Sequence, residues 1–292
     1  MARLSERLPQ NLPGEFYVDR SCIDCDTCRQ VAPAVFDRSE IEQSFVHHQP
    51  ATEEEHRRAL MALVACPTAS IGTVHRVSAA ASARAFPEPI AGDVHYCGFA
   101  AEASFGASSY LIRRPEGNVL VDSPRASRPL LERLTELGGV SLMFLTHRDD
   151  VADHRRFHRR FGCDRILHCD DVTAGTADIE RQPAGREPIS LAGDLLMIPV
   201  PGHTPGSSAL LYQETFLFTG DHLWWSDKLG RLSASRSVCW YSWAEQKRSI
   251  ERLLDFRFEW VLPGHGRRHH AAHPAAMRAE LERLAHWIRK SS

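Results

Sequence analysis

The sequence predicts an α+β chain of two unequal domains, a small cysteine-bearing one followed by a larger one of alternating strands and helices. Three observations carry this. Three cysteines crowd together at Cys22, Cys25 and Cys28, with a fourth at Cys66. From about residue 94 onward, short apolar runs alternate with amphipathic segments. Between these regions, residues 75–89 are rich in Ala, Ser and Pro without an amphipathic period, which reads as a linker. The expected boundaries are 1–74, a linker at 75–90, and 91–292.

Composition narrows the classes. The chain has 35 basic and 37 acidic residues, a net charge of −2, so no broad basic face for nucleic acid is implied. No apolar run approaches the length of a membrane span. Met1-Ala2-Arg3-Leu4-Ser5 lacks an apolar signal core. The expectation is a cytoplasmic protein with neither a nucleic-acid nor a membrane partner. In that reducing setting the eight cysteines are not expected to form disulfides. Cys97, Cys163, Cys169 and Cys239 are scattered and read as small buried apolar residues.

In the first domain, Phe16-Tyr17-Val18-Asp19 reads as a strand, and Ser44-Phe45-Val46 as a second. The C-x2-C-x2-C run lets three thiolates face one small cluster, and Cys66-Pro67 offers the fourth. Zinc is the alternative, but zinc sites more often use two separated pairs. Thr52-Glu53-Glu54-Glu55 is a capping box opening a helix that ends near Ala65 and delivers Cys66. The segment from about residue 16 to 73 resembles the single-cluster bacterial ferredoxins, through the cysteine triplet, Ala32-Pro33 and Cys66-Pro67-Thr68. That resemblance implies one [4Fe-4S] cluster on Cys22, Cys25, Cys28 and Cys66, and a one-electron module able to serve a redox partner protein.

In the second domain, runs at 94–97, 109–112, 119–122, 141–145, 165–167, 195–200, 209–212, 215–218 and 259–262 read as strands. Residues 130–137, 155–160, 243–256 and 274–290 read as helices. Four strand ends then present metal-type side chains. Thr146-His147-Arg148-Asp149-Asp150-Val151-Ala152-Asp153-His154 follows one strand. Pro201-Gly202-His203-Thr204-Pro205-Gly206-Ser207, Thr219-Gly220-Asp221-His222 and Pro263-Gly264-His265-Gly266 follow three others. Imidazole with carboxylate suits zinc or iron, and a loop held by a rigid strand suits chemistry.

These motifs, with Val121-Asp122, resemble the metallo-β-lactamase superfamily, an αββα sandwich, over about residues 94–287. The resemblance implies one or two divalent metals. Asp221 would bridge them, His147, Asp149 and His203 would serve one, and Asp153, His154 and His265 the other. The family pattern T-H-x-H-x-D-H is met at both ends of the first loop, but two extra residues lie between, so no single register preserves both ends. A one-metal site stays open.

With zinc, the expected chemistry is hydrolysis, with Asp153 or Asp221 orienting the water or taking its proton. With iron, the anionic Asp149 favours a harder metal, and the ferredoxin module would feed electrons to an oxidoreductase. A third reading is an electron carrier or binding protein with a decayed site. A small-molecule substrate is expected. Trp224, Trp225, Trp240, Tyr241 and Trp243, with Lys228, Arg231 and Arg236, wall a pocket for an anionic one on one reading. On the other they form a loop packed over the sheet edge.

Overall fold

The computed structural model describes residues 1–290. It divides into two compact units, Met1–Ser141 with Ala152–Cys163, and Leu142–Val151 with Asp164 onward. The α+β class expected from the sequence is the observed one.

The first unit opens with β1 (Phe16–Val18), α1 (Thr27–Val31), β2 (Phe36–Arg38), β3 (Ser44–Val46), α2 (Glu53–Ala65) and β4 (Ile71–Thr73). β1 pairs antiparallel with β4, and β2 with β3. The capping box forms as the sequence indicates. Glu55 N–H donates to the Thr52 hydroxyl at 3.2 Å, and the Glu55 carboxylate accepts from Thr52 N–H at 3.1 Å. Three glutamates in the first turn also suit the helix dipole. Ala59, Met61 and Ala62 bury the inner face of α2. Pro67 disfavours helical geometry at Cys66, which ends the helix with extended backbone, φ −55° and ψ 122°.

The stretch expected as a linker is partly regular. It holds α3 (Ala80–Arg84), where alanine favours helix, and runs into β5 (Glu88–Ala91). β5, β6 (Val94–Tyr96), β7 (Tyr110–Ile112) and β8 (Val119–Val121) form an antiparallel meander. The cysteine-bearing segment is pinned to the polypeptide that follows it in this unit. The Ala65 carbonyl accepts from Ala100 N–H at 3.0 Å, and the Val64 carbonyl from Arg125 Nη2 at 2.9 Å. α4 (Arg128–Glu136) and α5 (His154–Phe161) complete the unit.

The second unit begins with β9 (Leu142–Phe144), paired in parallel with β10 (Asp164–Ile166). Its main sheet comprises β11 (Ile189–Ala192), β12 (Leu195–Pro199), β13 (Ser208–Tyr212), β14 (Phe216–Gly220), β17 (Trp260–Pro263) and β18 (His269–His270), in the order β11-β12-β13-β14-β17-β18. A hairpin of β15 (Trp224–Ser226) and β16 (Arg231–Ser233) lies between β14 and β17 in sequence. β13 and β14 are buried at every residue, as expected of strands covered on both faces. One covering comes from α6 (Trp243–Arg252) and α7 (Pro274–Lys290). Met277, Leu281, Leu284 and Ile288 form the buried stripe of α7 and join Ile250, Leu217 and Val261 in one core. No described helix is long and apolar enough to cross a membrane.

The β13–β14 hairpin turns on Gln213 and Glu214, both left-handed at φ 52° and φ 46°. Turns of this kind favour Asn-Gly, because other side chains pay about 1 kcal/mol for that backbone. The Gln213→Asn/Glu214→Gly variant is therefore expected to melt about 2–4 °C higher. An unchanged or lower melting temperature would show that the turn carries no strain.

Candidate cluster and metal sites

In the first unit Cys22, Cys25, Cys28 and Cys66 line one small cavity with Val18, Ile23 and Pro67. Local backbone explains the convergence. Asp24 and Asp26 both adopt positive φ, 58° and 69°, a geometry that aspartate tolerates better than most residues. The buried Arg29 then locks them, at 2.8 Å from Asp24 Oδ1 and 2.6 Å from Asp26 Oδ1. The triplet is thereby folded so that its thiols share one cavity with Cys66 at the end of α2. Burial pushes the Cys25 thiol up to about 11, and Cys28 higher still. Iron ligation supplies the positive charge that such buried sulfurs need to ionise. Ser70 N–H donates to Cys66 Sγ at 3.3 Å, the kind of contact that tunes cluster ligands. Four soft donors in one cavity fit a cubane cluster.

In the second unit the ends of β9, β12, β14 and β17 bring together His147, Asp149, His203, Asp221 and His265. His203 Nε2 lies 3.3 Å from Asp149 Oδ2 and 3.7 Å from Asp221 Oδ2. His147 Nε2 lies 3.9 Å from Asp149 Oδ2 and 3.8 Å from Asp221 Oδ2. Ligands of a tetrahedral ion with bonds of about 2.1 Å stand roughly 3.4 Å apart; His147, Asp149 and His203 form one such donor group, and Asp221 shares a second with His147. Both Nε2 atoms are buried without a hydrogen-bond partner among the described residues.

The other ring nitrogens explain this orientation. His203 Nδ1 donates to the Val238 carbonyl at 2.6 Å. A carbonyl only accepts, so Nδ1 carries the proton and the Nε2 lone pair faces the site. His147 Nδ1 meets the Thr146 hydroxyl at 3.0 Å. Burial would raise Asp221, but the imidazoles of His265, His147 and His203 hold it below the usual carboxylate range. The adjacent His203 imidazole holds Asp149 below its ordinary range as well. Burial opposes protonation of His203, yet Asp149 and Asp221 raise it above its ordinary value of 6.5.

A residue missed in the sequence holds these loops in register. Asp171 is fully buried and accepts three hydrogen bonds. They come from Arg148 N–H at 3.0 Å, the Thr204 hydroxyl at 2.6 Å and Gly206 N–H at 2.8 Å. One carboxylate thus fastens the His147 loop to the His203 loop. Position 206 must be glycine, because a Cβ there would sit 2.7 Å from the Asp171 backbone nitrogen and 2.8 Å from its Cγ. No sequence signal marked Asp171, which stands in an undistinguished His168-Cys169-Asp170-Asp171 run.

Residues 18–73 match the family described as the 4Fe-4S single cluster domain of Ferredoxin I. Over 123 residues the chain is 33% identical to a hydroxyacylglutathione hydrolase from Anaeromyxobacter dehalogenans (strain 2CP-C). The match covers 40% of this chain and 46% of that protein, so the chain spans under half of the curated relative's length. Among solved structures, the class B3 di-zinc metallo-β-lactamase LRA-12 from an Alaskan soil metagenome aligns at TM-score 0.47 and 15% identity, over 69% of this chain and 90% of that one. ETHE1 from Myxococcus xanthus aligns at TM-score 0.47 and 18% identity, over 68% and 90%. The chain thus matches a single-cluster ferredoxin domain over residues 18–73 and, over part of its length, is similar to a hydroxyacylglutathione hydrolase. An iron–sulfur cluster and a divalent metal are what those two likenesses imply.

The metal donors expected from the sequence divide in two. His147, Asp149, His203, Asp221 and His265 stand in the second unit, with His265 Nδ1 at 2.8 and 2.9 Å from the Asp221 oxygens. Asp153 and His154 belong to the first unit. There Asp153 precedes α5, and its Oδ2 accepts from Ala126 N–H at 2.8 Å and Arg156 Nη1 at 3.2 Å. His222, beside Asp221, is buried in the core, and burial with the nearby His203 pushes it down to about 3.

Two outcomes follow. Asp171→Ala should weaken divalent-metal binding by about 10–100-fold while the visible cluster absorbance stays intact, as measured by competition titration with a chromophoric chelator. Unchanged affinity would remove the clamp from the account. Second, His203 protonates more readily than an ordinary imidazole, so protons compete for Nε2 from somewhat above pH 6.5 downward. Metal affinity should therefore fall on acidification through that region, and a flat profile between pH 8 and 6 would contradict it.

Proposed function

We propose that the metallo-β-lactamase-fold domain is a metal-dependent hydrolase of small acyl compounds, thioesters foremost, whose activity responds to the redox state of the fused cluster. The convergence of His147 Nε2, Asp149 Oδ2, His203 Nε2 and Asp221 Oδ2 carries this reading. A zinc or iron ion held there supplies Lewis acidity and a water activated near neutral pH. The chain's own groups supply the rest. Asp221, kept anionic, accepts rather than donates, and so orients the attacking water. His265, partly exposed, stands against both Asp221 oxygens and fixes that carboxylate's orientation. Trp240 and Tyr241, exposed at 65% and 50%, rim the site. Their N–H groups both donate to the His203 carbonyl, which ties an apolar surface for the acyl group to a metal-facing loop. The hydroxyacylglutathione hydrolase relative supports thioesters as the first class to try.

A second reading, an oxidoreductase with non-haem iron fed by the ferredoxin domain, is favoured by one observation. Asp149 puts an anionic oxygen where it faces His203, which suits harder, higher-valent iron.

The full chain, purified without oxygen and loaded in parallel with zinc or iron, should be assayed on glutathione thioesters, aryl esters and lactones. Thioester turnover is expected, falling about a hundredfold or more in Asp221→Ala. Absence of any hydrolysis, with faster reoxidation of reduced cluster by dioxygen or nitric oxide in the wild type than in Asp221→Ala, would replace the first reading by the second.

A further inference from the structure

We infer that Asp150, and not Asp153, is the second carboxylate that the loop after β9 gives the metal centre beside Asp149, forming with Asp221 and His265 a second cation position beside the first. This rests on the metal-centre reading above and goes beyond it, because neither composition nor motif register assigned Asp150 a role.

Asp150 is 1% exposed. Its carboxylate falls into a group with His147 and Asp221 whose donor atoms all lie within 4.8 Å of one another. The member of that group beside the first position, His147 Nε2, is buried without a hydrogen-bond partner among the described residues. Asp150 Oδ2 stands 4.0 Å from the far ring nitrogen, His147 Nδ1. It therefore lies on the other side of that imidazole from Asp149.

Gly264 defines the space between the carboxylates. A Cβ built there would lie 2.8 Å from Asp150 Oδ2 and 2.9 Å from Asp221 Oδ1. Two carboxylate oxygens face one cradle that any side chain at position 264 would fill. The imidazole of the next residue, His265, touches Asp221 Oδ1 at 2.8 Å. Oxygen, oxygen and imidazole nitrogen are the donor types that hold zinc or iron.

Asp153 offers a contrast. Its carboxylate is occupied within its own unit by Ala126 N–H and Arg156, as befits the residue that starts α5. The loop thus divides its acids by task. Asp149 and Asp150 face the chemistry, and Asp153 is engaged by Ala126 and Arg156 at the start of α5. The two residues inserted between the motif ends fall where this division is made, which is why counting from neither end finds Asp150.

The test is a Co(II) titration of the full chain after metal removal under conditions that retain the cluster, followed by ligand-field absorption and by metal analysis separate from cluster iron. The wild type is expected to take two equivalents. Asp150→Asn should weaken the second by about a hundredfold while the first stays within about threefold, and Asp153→Asn should bind as the wild type. Gly264→Ala, which needs no new charge and sits at ordinary φ, should also lose the second equivalent by filling the cradle. Loss of the second equivalent in Asp153→Asn with retention in Asp150→Asn overturns the inference, as does equal loss in both. A wild type that takes up no Co(II) overturns the metal-centre reading itself, whereas a single equivalent indifferent to Asp150→Asn and Gly264→Ala sinks only this proposal.

Discussion

The second unit depends on one buried carboxylate. Asp171 accepts from Arg148 N–H, the Thr204 hydroxyl and Gly206 N–H, and so joins two loops that come from strands far apart in sequence. Hydrogen bonds to a charged group contribute about 1.5–3 kcal/mol each, and the desolvated carboxylate has no equal alternative in the core. The loops are therefore held by a group that cannot let go of one without exposing the other. This explains the otherwise arbitrary wording of the His203 motif. The threonine donates to Asp171, the second glycine lets that carboxylate approach, and Ser207 Oγ meets the Thr204 hydroxyl at 2.7 Å. His203 is the only side chain of that motif facing the metal position; its neighbours face the clamp.

The cysteine cage relies on the same logic at shorter range. Its loop is bent by two aspartates in left-handed geometry and then pinned by Arg29. A guanidinium with only 8% of its side chain exposed needs both carboxylates, and both carboxylates need the loop. In each site a buried ion pair or clamp sets the register, and the donors that would hold metal are carried along. Preorganisation of this kind lets soft or neutral donors face a common centre without collapsing onto local hydrogen-bond partners.

Most of the fold was legible because its elements are strongly patterned. The helix opened by Thr52 and the terminal helix at Pro274–Lys290 lie where capping and periodicity place them. β13, β14 and β17 lie where apolar runs are bounded by turns. Elements set by tertiary pairing were not. β2 and β18 have too few apolar residues to announce themselves, and become strands because a neighbour offers its edge. Glycine-flanked histidines and Asp221 were legible because a lone polar residue at the end of an apolar run has few other uses. Of the acids of the 147–154 loop, Asp149 stands with His147 and His203 as the sequence suggested, whereas Asp150 was not legible. Sequence spacing measures contour length, and two extra residues can be taken up before, within or after a bend. Asp153 carries the motif's signature but spends its carboxylate on Ala126 and Arg156.

The charge of the site narrows its chemistry further. Asp149, Asp150 and Asp221 gather around His147 in two overlapping donor groups. With neutral imidazoles, one divalent ion leaves this assembly net negative by one charge, and two leave it net positive by one. A buried site with surplus negative charge repels anions and holds metal-bound positive charge in check, which disfavours attack on an anionic substrate. A site with surplus positive charge attracts a carboxylate-bearing thioester and stabilises the oxyanion that forms as its carbonyl is attacked. Asp149, exposed at 48% of its side chain, is the acid of this group that solvent reaches most. Substituting a carboxylate for an imidazole at this position therefore need not signal iron. It equally suits a hydrolase that must hold two cations without becoming too positive to release an anionic product.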